Sequence, residues 1–345
     1  MRLDKTDLGI HEFFTYPSVG EEDWQYAFQT AQVRSLETQM LTRTVVTDMA
    51  NASDFASAAS SLSGTEYTLP QGAGGTEVEA MLRQRRTAVR DLFNDLMLDG
   101  RIVEVFRSRD DYANLRLALR RVLTDKPVGS DYSAEGNVPL EVLRQAFEEQ
   151  NYAALPDFLQ AAADEAVLAF YQNKDIRQID HSIDHSQAVY KLTAARTADG
   201  DVFLTNLFRI QIDLANLRTM LRVKFLQADP RDVFLAGGFV EMDRLKQGVE
   251  MPYETLGSLF FATPYHQVVD AGAGYVAANG SFLKAEQQCD DYLLGYLRQS
   301  VQVTAGSQPV VAFLLAKEHE IRTVRLILTA KRNNLDTKLI LDRVA

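Results

Sequence analysis

The sequence predicts an all-α protein, and three observations lead to that fold class. Apolar residues recur at steps of three and four over long stretches, alternating strand-like runs are few, and Gly, Pro and Ser cluster between the helical stretches. The segment DYANLRLALRRVL at 111–123 returns as DLANLRTMLRVKF at 213–225, which indicates that the helices belong to repeated units.

Two long helices carry the clearest pattern. The first covers 207–225, and no Gly or Pro interrupts the chain before Pro230. The second covers 310–328. The alternating run at 201–208 leads directly into the first helix, so we do not predict a strand there. Loops are predicted at 70–75, 127–137, 229–238 and 304–309.

Composition excludes several classes of function. The 345 residues include 36 Lys and Arg against 47 Asp and Glu, and a net charge of −11 argues against nucleic-acid binding. The single cysteine, Cys289, excludes an intrachain disulfide and a thiolate metal cluster. The N-terminus does not resemble a secretory signal. The longest apolar run, at 309–316, is shorter than the roughly 18 residues of a membrane span, so we expect a soluble protein.

The repeated motif occurs three times. D-Y-A-N-L-R at 111–116 recurs 102 residues later as D-L-A-N-L-R, and a weaker version, E-I-R-T-V-R, begins at Glu320. A second element recurs at 55–62, 152–159 and 253–260, and Gly136 and Gly238 open two of the copies. We therefore predict one compact chain of three repeats, approximately 24–123, 124–225 and 226–345. Periodicity alone leaves open whether they form a solenoid or a ring.

The motif residues invite a catalytic interpretation, but a structural one is favoured. An Asp, an Asn and an Arg lie within about one and a half helical turns, yet a catalytic site rarely needs three copies in one chain. We expect the Asp near a helix start and the Arg anchoring one unit to its neighbour. The motif residues of the first two copies are Asp111, Asn114, Arg116, Asp213, Asn216 and Arg218.

Two other segments carry chemically interesting residues. His181 and His185 are four residues apart, and with Asp184 they suggest a divalent metal site and a metal-dependent hydrolase. The segment lacks the Glu of a zinc-protease motif, so a polar helix turn is favoured. A GAGGT loop at 72–76 precedes an arginine-rich helix, but the loop lacks a nucleotide-binding signature. We interpret the arginine-rich helix as a solvated face or a contact for an acidic partner. We predict no catalytic residue, metal ligand or cofactor site.

Charge is distributed unevenly along the chain. Residues 1–70 carry 4 basic and 10 acidic side chains, whereas the tail from 308 carries 7 basic and 4 acidic ones. Such an uneven charge distribution is suited to docking with other proteins of a complex, although a solvated surface would show the same distribution.

The C-terminal segment PVVAFLLAKEHEIRTVRLILTAKRNNL at 309–335 resembles the signature of the C subunit of V-type ATPases, which is called d in eukaryotes. Similarity to the same family extends to 24–41, 213–222 and the Gly-Gly segment at 234–245. The residues that match in the C-terminal segment are Lys317, Glu318, Glu320, Ile321, Arg325 and Lys331.

This resemblance implies a non-catalytic rotor protein. Family members are funnel-shaped chains of three helical bundles with pseudo-threefold symmetry, which join the central shaft to the membrane rotor ring. The resemblance therefore implies a peripheral protein on the cytoplasmic side of the membrane, with no cofactor and no small-molecule substrate. The coupling ion, proton or sodium, is chosen by the ring. The alternatives are a helical scaffold with unrelated partners and the metal-dependent hydrolase.

Overall fold

The computed structural model describes residues 15–124, 132–198 and 201–344, and every regular element in those ranges is helical. This confirms the all-α fold class. In chain order the α-helices are α1 Ala27–Glu37, α2 Arg43–Asn51, α3 Phe55–Ser60, α4 Gly75–Leu96, α5 Gly100–Thr124, α6 Leu140–Glu148, α7 Asp157–Asn173, α8 Ile176–Ala195, α9 Asp201–Leu226, α10 Met242–Glu250, α11 Tyr253–Leu259, α12 His266–Asn279, α13 Leu283–Arg298, α14 Ser307–Arg332 and α15 Thr337–Val344. Short 3-10 turns cover Trp24–Tyr26, Tyr152–Ala154 and Gln299–Gln302.

Local sequence explains where several helices begin and end. The side chain of Thr42 accepts a hydrogen bond from the backbone N–H of Val45 at the start of α2, and Asp54 does the same for Ser57 in α3. The long helix α9 ends at Leu226, because Gln227 adopts a left-handed backbone with φ of 52° and Pro230 follows. The two long helices predicted from periodicity correspond to α9 and α14 and are confirmed.

Two compact units make up the described chain. The first unit contains residues 15–98, 224–226 and 247–344, and the second contains the described residues of 99–223 and 227–246. The first unit is built around α14, which packs against α1, α2, α3 and α4. Burying aliphatic side chains of α14 such as Val311, Val324 and Ile327 contributes about 1.5–3 kcal/mol each.

In the second unit, α7 and α8 pack against each other and against α5. The contacting face of α7 carries small residues, Ala162, Ala163 and Ala166, all fully buried. Small side chains allow the helices to approach closely, and Ile179 and Ile183 of α8 belong to the same buried core.

One predicted loop is shorter than expected. The sequence predicts a connection over 304–309, but α14 already begins at Ser307 and includes Pro309. Proline is tolerated there because the first-turn N–H groups of a helix have no intrahelical partner. The predicted loop at 127–137 lies partly outside the described residues, while 70–74 and 229–238 contain no α-helix.

Candidate functional site

The repeated Asp lies in the middle of a long helix and binds backbone outside that helix. In α5, one carboxylate oxygen of Asp111 accepts the N–H of Val138 at 3.0 Å, and the other accepts the N–H of Asn137 at 3.0 Å. Burial raises the pKa of Asp111, and these hydrogen bonds oppose that shift. The expectation that the Asp lies near the start of its own helix is therefore wrong. Asp111 lies in the interior of α5 and accepts hydrogen bonds from backbone N–H groups just before α6.

The repeated Asn completes this arrangement one turn later. Asn114 donates from its side-chain amide to the carbonyl of Ser133 at 2.8 Å and accepts the N–H of Ser133 at 2.8 Å. Arg107 donates to the carbonyl of Gly136 at 2.8 Å. We call this set of contacts the first carboxylate clamp: Asp111 and Asn114 of α5 hold the strip 133–138, which leads into α6.

The second carboxylate clamp repeats the first residue by residue. In α9, Asp213 accepts the N–H of Phe239 at 2.9 Å and of Val240 at 3.0 Å. Asn216 exchanges two hydrogen bonds of 2.8 Å with the backbone of Leu235. Arg209 donates to the carbonyl of Gly238 at 3.3 Å. The strip 235–240 is held in this way and leads into α10.

Glycine is required where each strip passes its carboxylate. A Cβ atom on Gly136 would lie 2.1 Å from an oxygen of Asp111, and one on Gly238 would lie 2.1 Å from the matching oxygen of Asp213. Any larger residue would push the strip away from the carboxylate. The two glycines that open the repeat copies in the sequence thus have the same steric role.

The third carboxylate clamp uses Glu320 of α14. Its carboxylate accepts the N–H of Leu41 at 2.6 Å, the hydroxyl of Tyr67 at 2.8 Å and the ammonium of Lys317 at 2.5 Å. Burial and the adjacent Glu320 raise the pKa of the Tyr67 hydroxyl, which therefore stays protonated and donates.

The three clamps share one register. Val138 lies two residues before α6, Val240 two before α10, and Leu41 two before α2, and each of these helices has 9 residues. In the third clamp the strip comes from the N-terminal part of the chain, 279 residues away from Glu320. The third motif copy therefore binds a strip that precedes it in the sequence, whereas the first two copies bind strips that follow them.

The other residues of the C-terminal motif join α14 to the N-terminal helices. Glu318 forms an ion pair with Arg90 of α4 at 3.0 Å, and Arg325 forms one with Glu79 at 3.2 Å. Lys331 donates to the carbonyl of Ala52 at 2.7 Å, immediately after α2. These motif residues thus hold the helices of the first unit together.

Part of the arginine-rich helix α4 is not a solvated face. The Arg90 side chain is 15% exposed in its ion pair, and Arg85 lies 3.8 Å from Glu66. Glu66 also contacts Lys317 of α14. Two of the arginines, Arg85 and Arg90, therefore contact carboxylates inside the first unit.

Arg116 of the first motif copy contacts a helix of the next predicted repeat, 124–225, which lies in the same compact unit. Arg116 contacts Asp180, at 3.6 Å, and Asp184, both on α8, and Arg120 binds Asp180. Arg218 occupies the matching position on α9, where it is partly buried.

The carboxylates of the candidate metal segment form ion pairs with arginines. His181 and His185 both lie on α8, as the spacing predicts, but Asp180 and Asp184 are neutralised by the arginines of α5. Burial lowers the pKa of His181. Across 15–124, 132–198 and 201–344, no group of three His, Cys, Asp or Glu side chains is arranged to hold a metal ion. Within these residues, the geometry offers the hydrolase hypothesis no set of metal ligands.

A cavity of about 590 Å³ adjoins the third clamp within the first unit, with Leu41 and Glu320 in its wall. Arg343 of α15 binds Asp290 there at 2.7 Å. Burial, together with the positive charges of nearby arginines, lowers the pKa of His319 to about 4 against the opposing effect of Asp290, so its imidazole is neutral at physiological pH. This half-buried base links the stability of the first unit to pH.

Sequence reasoning missed the residues that support the clamps. Arg107 and Arg209 were not singled out, although the pair Phe-Arg recurs at 106–107 and 208–209 with the same offset of 102 residues as the motif. Leu41 ends the segment 24–41 that resembles the family, but nothing in the sequence indicates its contact with Glu320, because that contact uses only the backbone N–H of Leu41.

Carboxylates that recur along the sequence and bind the chain's own backbone place the protein in a structural class of all-helical proteins. The chain belongs to the ATP synthase (C/AC39) subunit family, whose model matches residues 29–343. Proteins of this family are non-catalytic stalk subunits of the complex. No helix in the described part of the chain is both long and apolar enough to cross a membrane.

Curated relatives agree with this family. The chain is 23% identical over 271 residues to the C subunit of the V-type sodium ATPase of Enterococcus hirae, covering 78% of this chain and 82% of the relative. It is 29% identical over 270 residues to the C subunit of the V-type ATP synthase of Thermus thermophilus, covering 76% of this chain and 79% of the relative.

Proposed function

We propose that this chain is the central-stalk socket of a rotary V-type ATPase or ATP synthase, the part that joins the central shaft to the membrane rotor ring. In this proposal its three repeats are bundles related by a pseudo-threefold axis, and they form a funnel around the shaft tip. The observation that carries the proposal is the shared register of three carboxylate clamps, the third of which uses the N-terminal strip ending at Leu41. Clamps that link the last repeat to the first favour a closed set of repeats over an open-ended stack.

Torque transmission requires a part that deforms little under load. Closely packed helices have low compressibility, and buried carboxylates bonded to two or three donors fix the strips between helices. Both features are present around Asp111 and Asp213. The clamps therefore serve as internal braces, and the surfaces that contact the shaft and the ring lie elsewhere on the chain.

The proposed partners are the proteins of the central shaft and the membrane rotor ring, which is built of c-type subunits. Nucleic acid and small-molecule substrates have no place in this function, and no cofactor takes part. The protein is peripheral, on the cytoplasmic side of the membrane, and works in transport of protons or sodium ions. Its acidic balance, with a net charge of −11, is compatible with protein partners of opposite charge.

The test is to compare membrane complexes that contain or lack this chain. Complexes with the chain should copurify shaft and ring together from detergent extracts and should couple ATP hydrolysis to ion transport. Complexes without it should hydrolyse ATP without transporting ions. Tight coupling in its absence, or strong ATPase activity in the isolated chain, would contradict the proposal.

A further inference from the structure

Two large aromatic side chains project from the beginning of the first unit. Trp24 is 66% exposed and Phe28 is 74% exposed, and Trp24 is the single tryptophan of the sequence. They are four residues apart in a continuous helical stretch that starts with the 3-10 turn and continues into α1, so they lie on one side of it. Exposed tryptophan next to exposed phenylalanine is typical of binding surfaces.

The opposite side of this stretch is firmly held. Tyr26 is buried, and its hydroxyl donates to the sulfur of Met97 at 3.4 Å. Thr30 exchanges hydrogen bonds with Gly306, and Arg34 donates to the carbonyl of Ser300 at 2.7 Å. The exposure of the two aromatic rings therefore does not come from loose packing. The helix presents them in a fixed position.

The chain segment just before the aromatic pair is acidic. Glu21, Glu22 and Asp23 directly precede Trp24, and residues 15–33 contain no Lys or Arg. Hydrogen bonds from Thr304 lower the pKa of Glu22, which keeps that carboxylate charged. The backbone N–H of Asp23 donates to the carbonyl of Ala305 at 2.9 Å, which fixes the acidic residues beside the aromatic pair.

We infer that Trp24 and Phe28, edged by Glu21, Glu22 and Asp23, contact the cytoplasmic loops of the membrane rotor ring. This inference rests on the proposed function. Cytoplasmic loops of membrane proteins are enriched in Lys and Arg, which complement three carboxylates. A bare membrane surface with anionic lipids would instead repel this face. Apolar contact by the two rings supplies affinity, and the charges supply orientation and salt dependence.

The single tryptophan allows a direct measurement. The full chain is labelled with 5-fluorotryptophan, which gives one 19F signal from Trp24, and is titrated with the ring purified in neutral detergent. The signal should shift and broaden on addition of the ring. It should not respond to the shaft proteins alone or to protein-free vesicles containing anionic phospholipid.

Matched variants separate this face from other exposed apolar residues. The double variant Trp24→Ala/Phe28→Ala should bind the ring at least about 30-fold more weakly, as expected for loss of interface hot spots. The control Leu168→Ala/Tyr171→Ala removes two side chains of the second unit that are 59% and 57% exposed and should bind like wild type. Glu21→Gln/Glu22→Gln should reduce the salt dependence of binding. Circular dichroism and thermal unfolding verify that each variant is folded.

The outcomes are distinguishable. If the wild-type chain captures neither ring nor shaft, both the proposed function and this inference are overturned. If it captures the ring while the Trp24 signal and the affinity of the double variant are unchanged, only this inference is overturned. A Trp24 signal that responds to the shaft alone or to vesicles alone likewise overturns it.

Discussion

The first and third carboxylate clamps perform the same task with different chain connections. In the first clamp, Asp111 binds Val138, only 27 residues away in sequence, whereas in the third clamp Glu320 binds Leu41 across 279 residues. Closing a loop ten times longer costs roughly 2 kcal/mol more in chain entropy. The third clamp also lacks the Asn found in the other two, since Thr323 occupies that position.

The third clamp compensates with additional buried partners. Its carboxylate takes a tyrosine hydroxyl and a lysine ammonium as well as a backbone N–H, and Glu318 beside it pairs with Arg90. A local clamp therefore works with a carboxylate, an amide, a glycine and a supporting arginine. A clamp that joins distant parts of the chain needs a network of charges.

The largest effect is expected for Glu320→Ala. It leaves the Leu41 N–H and the Tyr67 hydroxyl without their acceptor and removes one carboxylate from Lys317, so the free energy of unfolding should fall by about 4 kcal/mol. Urea unfolding measures the loss, and limited proteolysis should show faster cleavage before α2. Asp213→Ala is the matched control, because it should destabilise the chain without exposing that N-terminal segment. Equal cleavage in both variants would contradict the separate role of the third clamp.

Glycine substitutions in the local clamps should cost about 2–3 kcal/mol each. Gly136→Ala and Gly238→Ala force a Cβ to within 2.1 Å of a buried carboxylate oxygen, so the backbone donors of the strip separate from it. Gly274→Ala in α12 is the control with the opposite sign, because that position has open space and alanine favours helix by about 0.5–1 kcal/mol. Thermal unfolding of the three variants checks this order, and an unchanged Gly136→Ala protein would refute the steric argument.

Acidification should weaken the first unit through His319. Its folded-state pKa of about 4 lies below the ordinary value of about 6.5. Between those pH values the imidazole is therefore protonated in the unfolded chain and neutral in the folded chain. Stability from this group is complete above about pH 6.5 and falls by on the order of 2–3 kcal/mol as the pH approaches 4. The difference between wild type and His319→Gln, measured by urea unfolding across this range, isolates the contribution. A pH-independent difference would contradict it.

The smallest effect is expected for the exposed ion pair of Arg325 with Glu79, whose side chains are 39% and 48% exposed. Glu79→Ala should change the free energy of unfolding by less than about 1 kcal/mol. Glu318→Ala removes an ion pair with Arg90, whose side chain is only 15% exposed, and should cost about 3 kcal/mol. A double-mutant cycle for each pair compares them, and equal coupling energies would show that burial does not set their strength.

The sequence allowed the long helices and the repeated motif to be predicted, for separate physical reasons. A 26-residue helix such as α14 carries its period in many buried side chains, so the pattern survives individual exceptions such as Lys317. The motif was recognised because Asp, Asn and Arg recur with fixed spacing. The division into three repeats and their threefold arrangement stay predictions.

The partners of the motif could not be predicted, because they are mostly backbone groups. Asp111 binds backbone N–H groups, and any residues other than proline at 137–138 offer them, so only Gly136 leaves a trace. Leu41 is still harder to find, since it is 279 residues from its acceptor and its side chain does not take part. The exposure of an aromatic side chain such as Trp24 could not be predicted either, because it is seen only in the folded structure.

Hydrogen exchange of three backbone amides tests the central claim most directly. The N–H groups of Leu41, Val138 and Val240 each bind a carboxylate in the structure. Native-state exchange followed by NMR should find all three strongly protected, and Glu320→Ala should release Leu41 while Val138 and Val240 stay protected. Rapid exchange of Leu41 in the wild-type chain, with Val138 and Val240 protected, would contradict the account, because the third clamp would then be open.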